Sequence, residues 1–339
     1  MKPKRIALWT LLSLLLLAGA AFGVWRIFFS KSYSGDPVRI YIPSNSSRAD
    51  VCDSLSALGS FGDITARLWR LQSGTPEEAR GSYLVEPGMT AATLARRIAK
   101  GQESPLHFTF NNIRTFEGLA SRVAQRFETD SAAFMAAAAA RLDSAGFTPA
   151  TYAAAIVPDT YEFYWTARPE YIIDRLAAER DRFWNDTRRA KAEALGLTPE
   201  EVATIASIVE EESNNAGERP LIARLYLNRL DINMPLQADP TIKYAVGDFG
   251  LRRIGSEVLR AAASSPYSTY AHAGLPPGPI RIAERSAIDN VLDAPKHNYL
   301  YMCAKSDFSG THDFAETYDR HRLNAARYHR ALNQRGINR

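Results

Sequence analysis

Glu210, Glu211 and Glu212 stand in a row and are followed by a small hydroxyl residue, Ser213. A carboxyl group can work as a general acid when its surroundings hold its pKa near the working pH. The stretch before the three glutamates reads as a helix. Thr198 suits the N-cap, Pro199 suits the first helical position, and Glu201 completes a capping box. Val202, Ile205, Ala206 and Val209 form an apolar stripe at helical spacing. Continued, the stripe reaches Glu212 and Ser213, while Glu210 and Glu211 turn toward solvent. One carboxylate of three is then aimed at the buried face near the helix C-terminus. Burial and the negative end of the helix dipole both disfavour its ionised form, so its pKa rises toward that of a usable acid. The same residues also read as a frayed helix end with three solvated glutamates, Asn214 and Asn215 lying just beyond. Periodicity does not choose between the two.

Further polar residues follow. In Gly217-Glu-Arg-Pro-Leu-Ile-Ala-Arg-Leu-Tyr-Leu-Asn-Arg-Leu230, Asn228 shares a face with Leu221 and Leu225. It either satisfies nearby backbone or stands beside Glu212 as a hydrogen-bonding group. In Met234-Pro-Leu-Gln-Ala-Asp-Pro-Thr241, Asp239 precedes proline, which disfavours helix there. An extended stretch would send Gln237, Asp239 and Thr241 to one side, lining a groove that bonds sugar hydroxyls and acetamido groups; alternatively Asp239 caps the next segment. Tyr267, Tyr270, Tyr161, Tyr164 and Trp165 could be platforms for the apolar faces of sugar rings, although most aromatics are core. The six histidines, His312 among them, show no paired metal-ligand spacing, so neither a metal nor a cofactor is expected. Phosphate-binding glycine loops and Gly-x-Ser-x-Gly elbows are absent from the sequence.

The elements that must position these residues have an α+β pattern. Ile6 to Trp25 is an uncharged run of 20 residues preceded by Lys2, Lys4 and Arg5. It predicts a single-pass anchor with residues 1–5 cytoplasmic and the rest outside the cytoplasmic membrane. A cleaved signal peptide ending near Ala18-Gly19-Ala20 is the competing reading. Residues 26–36 form a linker. Residues 37–105 then read as strand, two helices, strand and helix, arranged like a LysM-type glycan-binding unit. Residues 106–339 form a larger mixed α+β domain with the helix-borne glutamate, including one long helix from Pro169 to about Leu195. Aromatic content of 10% and hydrophobic content of 46% exclude a disordered chain. The net charge of +4 comes without a dense basic patch, so no nucleic-acid partner is expected. Cys52 and Cys303 are far apart in sequence and read as unpaired thiols.

Several motifs, in order, resemble one family. Ala206-Ser-Ile-Val-Glu-Glu-Glu-Ser213, Glu218-Arg-Pro-Leu-Ile-Ala223, Asn228-Arg-Leu230 and Met234-Pro-Leu-Gln-Ala-Asp-Pro-Thr241 are similar to the core of the YceG-like endolytic murein transglycosylases. So are Val157-Pro-Asp-Thr-Tyr161, Ser265-Pro-Tyr-Ser-Thr-Tyr270, Gly274-Leu-Pro-Pro-Gly-Pro-Ile280, Tyr299-Leu-Tyr301 and Gly310-Thr-His-Asp-Phe314. The chain departs from the family's usual residues at Ser268, at Arg320-His321-Arg322 and around Ile282-Ala283-Glu284.

The resemblance implies an anchored peptidoglycan lyase that cuts the MurNAc-β-1,4-GlcNAc bond of nascent strands and leaves 1,6-anhydroMurNAc ends. Glu212 would be its single acid/base. Ser213, Asn228 and Gln237 would hold acetamido groups or orient Glu212, with Asp239, Thr241, Tyr267, Tyr270 and His312 also touching substrate. The cell-wall synthesis machinery would be a neighbour. Other readings fit the same residues. A hydrolase would use Asp239 as a second carboxylate, at roughly 6.5–9.5 Å for an inverting route. A glycan-binding scaffold would not depend on Glu212, and a membrane-tethered organiser of a division or elongation complex would put catalysis second.

Overall fold

The structure is a computed structural model. It describes residues 3–29, 32–72, 74–251 and 253–335; within the first helix it describes the side chains at 9–20, 22, 23 and 25. The chain divides into two compact units. One comprises residues 1–108, 126–129 and 161–168; the other comprises 109–125, 130–160 and 169–339.

The first unit begins with α1 (Pro3–Phe29), followed by β1 (Val38–Ile42), α2 (Arg48–Ser56), α3 (Gly59–Leu71), α4 (Pro76–Ala79), β2 (Gly81–Val85) and α5 (Ala91–Ala99). The expected strand–helix–helix–strand order is present, with the short α4 inserted before β2. Strands β1 and β2 pair antiparallel, with Ile40 opposite Tyr83. Ile42, Leu55, Trp69, Tyr83, Leu94 and Ile98 are wholly buried between that ribbon and its helices. Capping boxes at Ser47/Asp50 and Thr75/Glu78 start α2 and α4 by satisfying otherwise orphaned backbone N–H groups. Strands β3 (Leu106–Thr109) and β4 (Thr160–Phe163) make a second two-stranded sheet.

The span expected at Ile6–Trp25 falls within α1, where Trp9, Leu11, Leu12 and Leu14 to Leu17 are exposed. Among the described residues no helix is long and apolar enough to cross a membrane. The described side chains of α1 run unbroken only from 9 to 20, and those of Ile6 to Leu8, Ala21 and Val24 lie outside them.

The second unit contains α6 (Phe116–Arg126), α7 (Ser131–Asp143), α8 (Pro169–Phe183), α9 (Asp186–Ala194), α10 (Pro199–Glu212), α11 (Arg219–Asp231), α12 (Asp239–Val246), α13 (Ser256–Ala262), α14 (Arg285–Leu292), the hairpin strands β5 (Tyr301–Ala304) and β6 (His312–Ala315), and α15 (Tyr318–Gln334). The single long helix expected from Pro169 to Leu195 is two helices. Asn185 leaves the helical conformation and its side chain accepts from Arg188 N, so it caps α9 and ends the run.

Helix α10 is central. It packs against α9, α11, α12, α14 and the 3-10 turn Tyr152–Ala155. Thr198 and Glu201 cap it as the sequence predicts. The expected one-sided stripe is a correction, however. Every residue from Val202 to Glu210 is buried, because neighbours cover the helix on all sides. Its core partners include Ile222, Leu225, Tyr226, Leu236, Ile288 and Val291. The loop after α13 seats on α10, where Ile280 N donates to Ser207 Oγ (3.0 Å). In that loop Gly278 comes so close to the 3-10 turn that a Cβ there would lie 1.9 Å from Ala150 O, so only glycine fits.

Candidate active site

Helix α10 ends at Glu212, and Ser213 leaves it in an extended conformation. The turn at Asn214–Gly217 reverses the chain into α11, which packs back along α10. This arrangement brings Tyr226 of α11 against the end of α10, where its hydroxyl donates to Glu212 Oε1 at 2.5 Å. Glu212 and Tyr226 line a pocket of about 220 Å³ together with Leu225, Arg229, Leu236, Gln237, Asp239, Tyr270, Met302, Cys303, Ala304 and His312.

The carboxyl of Glu212 is pushed up to about 7. Removal from water is the main cause. The Tyr226 hydrogen bond opposes it, the nearby charge of Asp239 adds to it, and Arg229 and Lys243 oppose it. Burial beside Glu212 holds the Tyr226 phenol well above its usual value, so it remains a donor. Arg229 is also buried. Its guanidinium donates to the carbonyls of Leu300 (2.7 Å), Leu236 (2.6 Å) and Pro235 (3.3 Å). It has no carboxylate within ion-pair distance among the described residues, and burial lowers its pKa. The pocket therefore holds a carboxyl that can be neutral near pH 7, a fixed phenol donor and a desolvated cation.

The two glutamates expected in solvent are not there. Glu210 is 3% exposed; it pairs with Arg281 (2.9 Å) and accepts from Glu284 N (2.9 Å). Glu211 bonds Arg281 (2.8 Å) and Arg114 (3.2 Å). Burial raises the Glu210 carboxyl. Glu212 alone of the three opens into the pocket. Helical spacing left Glu212 open between a buried acid and a frayed end; it lines the pocket, and its two neighbours are paired with arginines instead of solvated.

The structure sorts the other expected residues. Gln237, Asp239, Tyr270 and His312 line the pocket with Glu212. The extended run through 237, 239 and 241 is a correction, because Asp239 is the first residue of α12. Proline is tolerated there, where its missing N–H would have no helical partner. The turn is made one step earlier. Gln237 sits at φ 47°, in the left-handed region, held by its N–H to Thr269 O (3.0 Å). Asp239 accepts from Tyr270 Oη at 2.6 Å. Burial and that bond raise the Tyr270 phenol.

Thr241 is wholly buried and bonds Ala238 O and Thr269 Oγ1 (2.7 and 2.9 Å), so it latches the turn and lies outside the pocket. Asn228 is likewise structural. Its amide donates to the carbonyls of His297 (2.7 Å) and Tyr299 (3.0 Å) and accepts from Arg224 (2.6 Å). Tyr267 packs its ring on Tyr244, 4.7 Å between centroids. Ser213 is buried and bonds Glu218 and Asn215 N. Tyr161, Tyr164 and Trp165 all belong to the first unit, and Tyr161 is buried in its core. Cys52 and Cys303 are free thiols.

Tyr226 and Arg229 are the residues that periodicity does not single out. The available signal is their spacing. Both fall within one turn of Leu225 on α11, and an arginine beside a buried helix face must find partners.

The model of the YceG-like family matches residues 40–327, which include the whole pocket. This chain belongs to the YceG-like family. Within that family it is 31% identical over 180 residues to an endolytic murein transglycosylase of Bacillus subtilis, covering 53% of this chain and 49% of that protein. It is 34% identical over 154 residues to an endolytic murein transglycosylase of Streptococcus pneumoniae, covering 44% of this chain and 27% of that protein. The chain thus spans half or less of the length of these relatives. A crystal structure of a yceG-like protein from Listeria monocytogenes aligns with a TM-score of 0.57 at 24% identity, covering 85% of this chain and 98% of that one. At that identity the likeness speaks to the fold.

Proposed function

We propose that this YceG-like chain is a membrane-anchored endolytic transglycosylase of peptidoglycan, with Glu212 as its single acid/base. The observation that carries the reading is the Glu212 carboxyl, raised to about 7 and held by Tyr226 in a polar pocket. The neutral acid gives its proton to the oxygen between N-acetylmuramic acid and N-acetylglucosamine as the bond to the anomeric carbon breaks. The muramoyl C6 hydroxyl attacks that carbon and closes the 1,6-anhydro ring. Glu212, now a carboxylate, takes the hydroxyl proton and returns to its starting state. The attack is intramolecular, so positioning takes the place of a second catalytic side chain. Tyr226 stabilises the carboxylate midway, and Arg229 offsets its charge. Gln237, Asp239 and Tyr270 offer hydrogen-bonding groups to the sugars.

The exposed leucines of α1 support an anchor in the cytoplasmic membrane, crossed once, with residues 26–339 on the outer side. From there the enzyme would cut new strands beside the synthesis machinery, and the LysM-like order of the first unit suits glycan binding.

Mass spectrometry of peptidoglycan digested by the detergent-solubilised full chain, wild type beside Glu212→Gln, tests this. Anhydro-ended fragments from wild type alone are expected. Reducing ends would transfer the reaction to water and make Asp239 the second carboxylate. Equal binding without cleavage by either protein would leave a glycan-binding scaffold.

A further inference from the structure

Two buried carboxylates stand outside the mechanism above: Glu210, which is paired with Arg281, and Glu218. Glu218 is 8% exposed and stands at the N-cap of α11, yet its side chain makes no capping bond to that helix. It is turned instead to His312. Oε1 accepts from the backbone N of His312 (2.7 Å), and Oε2 faces His312 Nδ1 (3.1 Å). Ser213 Oγ, directly after the catalytic glutamate, completes the shell at 3.4 Å. One carboxylate thus grips both the main chain and the ring of one residue.

A carboxylate oxygen only accepts, so the ring nitrogen facing it carries the proton. In the neutral ring Nδ1 is then the N–H, and Nε2 has a free lone pair. The histidine also sits on a fixed support. It opens β6, paired with Ala304 of β5, and His312, Ala304 and Glu212 line the same pocket.

We infer that Glu218 is a positioning residue that locks His312 as its Nδ1–H tautomer, so that Nε2 accepts a hydrogen bond from a sugar hydroxyl in the Glu212 pocket. The inference rests on the glycan-cleaving reading for its substrate class. Its structural half, the tautomer, does not. No proton is transferred to the histidine: Nε2 orients the hydroxyl, and the proton still passes to Glu212.

Two substitutions separate this role from a merely structural one. Glutamine places its amide near the position of Nε2, and asparagine places its amide near that of Nδ1. If Nε2 matters, His312→Gln keeps much of the kcat, while His312→Asn loses roughly tenfold or more. If the Glu218 contact is only a brace, the order reverses, because asparagine keeps that contact; this result overturns the proposal. Histidine-selective 15N labelling of the full chain gives a second readout that needs no substrate. Wild type should show His312 protonated at Nδ1. Glu218→Gln can offer its N–H to the ring and should move the proton to Nε2. An unchanged His312 spectrum in a folded Glu218→Gln protein also overturns it. Should that variant not fold, the two His312 variants decide alone. A normal tautomer with no glycan cleavage by any form would sink the function and leave the lock standing.

Discussion

At the residue scale, the end of α10 is governed by which carboxyl is dry and which is paired. Glu212 is raised from 4.5 to about 7 by burial. In its proposed role of general acid it must hold its proton, so cleavage should fall as pH rises through about 7. Tyr226 donates to the ionised form and lowers the Glu212 pKa. Tyr226→Phe should therefore move the alkaline limb of the rate profile to higher pH. It should also lower kcat by roughly tenfold, because the carboxylate formed in the reaction loses its donor. A limb that stays in place, measured by rate against pH on a soluble glycan, would argue that Tyr226 does not tune the acid.

The same raised pKa affects stability. Between 4.5 and about 7 the folded chain keeps a proton that the unfolded chain has lost, so stability falls as pH rises across that window. Below the window both states are protonated, and above it the full penalty of a buried charge is present. Glu212→Gln should therefore melt higher than wild type at pH 8, by roughly 1–3 kcal/mol at most, and equally at pH 4. Calorimetry at the two pH values checks this.

At the element scale, α10 is held by charges from remote parts of the sequence. Arg281 bridges Glu210 and Glu211 from the loop after α13, and Arg114 adds to Glu211. Arg281→Met would leave Glu210 buried without its cation, at a cost of about 3–5 kcal/mol. Adding Glu210→Gln should recover part of that loss. A double-mutant cycle in thermal melting reads the coupling, and simple additivity would show that the pair does not interact.

This element also marks how far the sequence could be read. Thr198, Pro199 and Glu201 are local signals, so the start of α10 was legible, as was the spacing that carries its stripe to Glu212. The burial of Glu210 was not. It depends on Arg281 and on the backbone of Glu284, over 70 residues away in the chain, and periodicity contains no such term. The break between α8 and α9 was hidden for the opposite reason: Asn185 is one residue in an otherwise helical pattern, and only its cap geometry ends the run. The fold of residues 237–241 reversed because a left-handed Gln237 absorbs the turn before the Asp-Pro pair. Tyr226, Gln237 and His312 meet only when α11, that turn and the β5–β6 hairpin are assembled.

At the scale of the whole molecule, the pocket, its supports and its charge network all lie within the second unit, while α1 and the first ribbon belong to the other. Among the described residues of α1, Leu11, Leu12 and Leu14 to Leu17 are exposed. Leu14→Arg with Leu16→Arg should weaken membrane insertion by roughly 2.5–3.5 kcal/mol per residue at mid-span. Sedimentation of cell membranes after alkaline washing would show the double variant released and the wild type retained. Retention of both would remove the anchor from the proposal.

Arg229 sets one more property of the pocket. Its charge is held by three backbone carbonyls, with little access to water. Mobile ions screen charges that they can approach, and they cannot crowd around this one. The electrostatic help it gives to the Glu212 carboxylate is therefore insulated from the medium. Salt should therefore act on the alkaline limb through the exposed Asp239, whose screening moves the limb to lower pH between dilute buffer and molar salt, and not through Arg229.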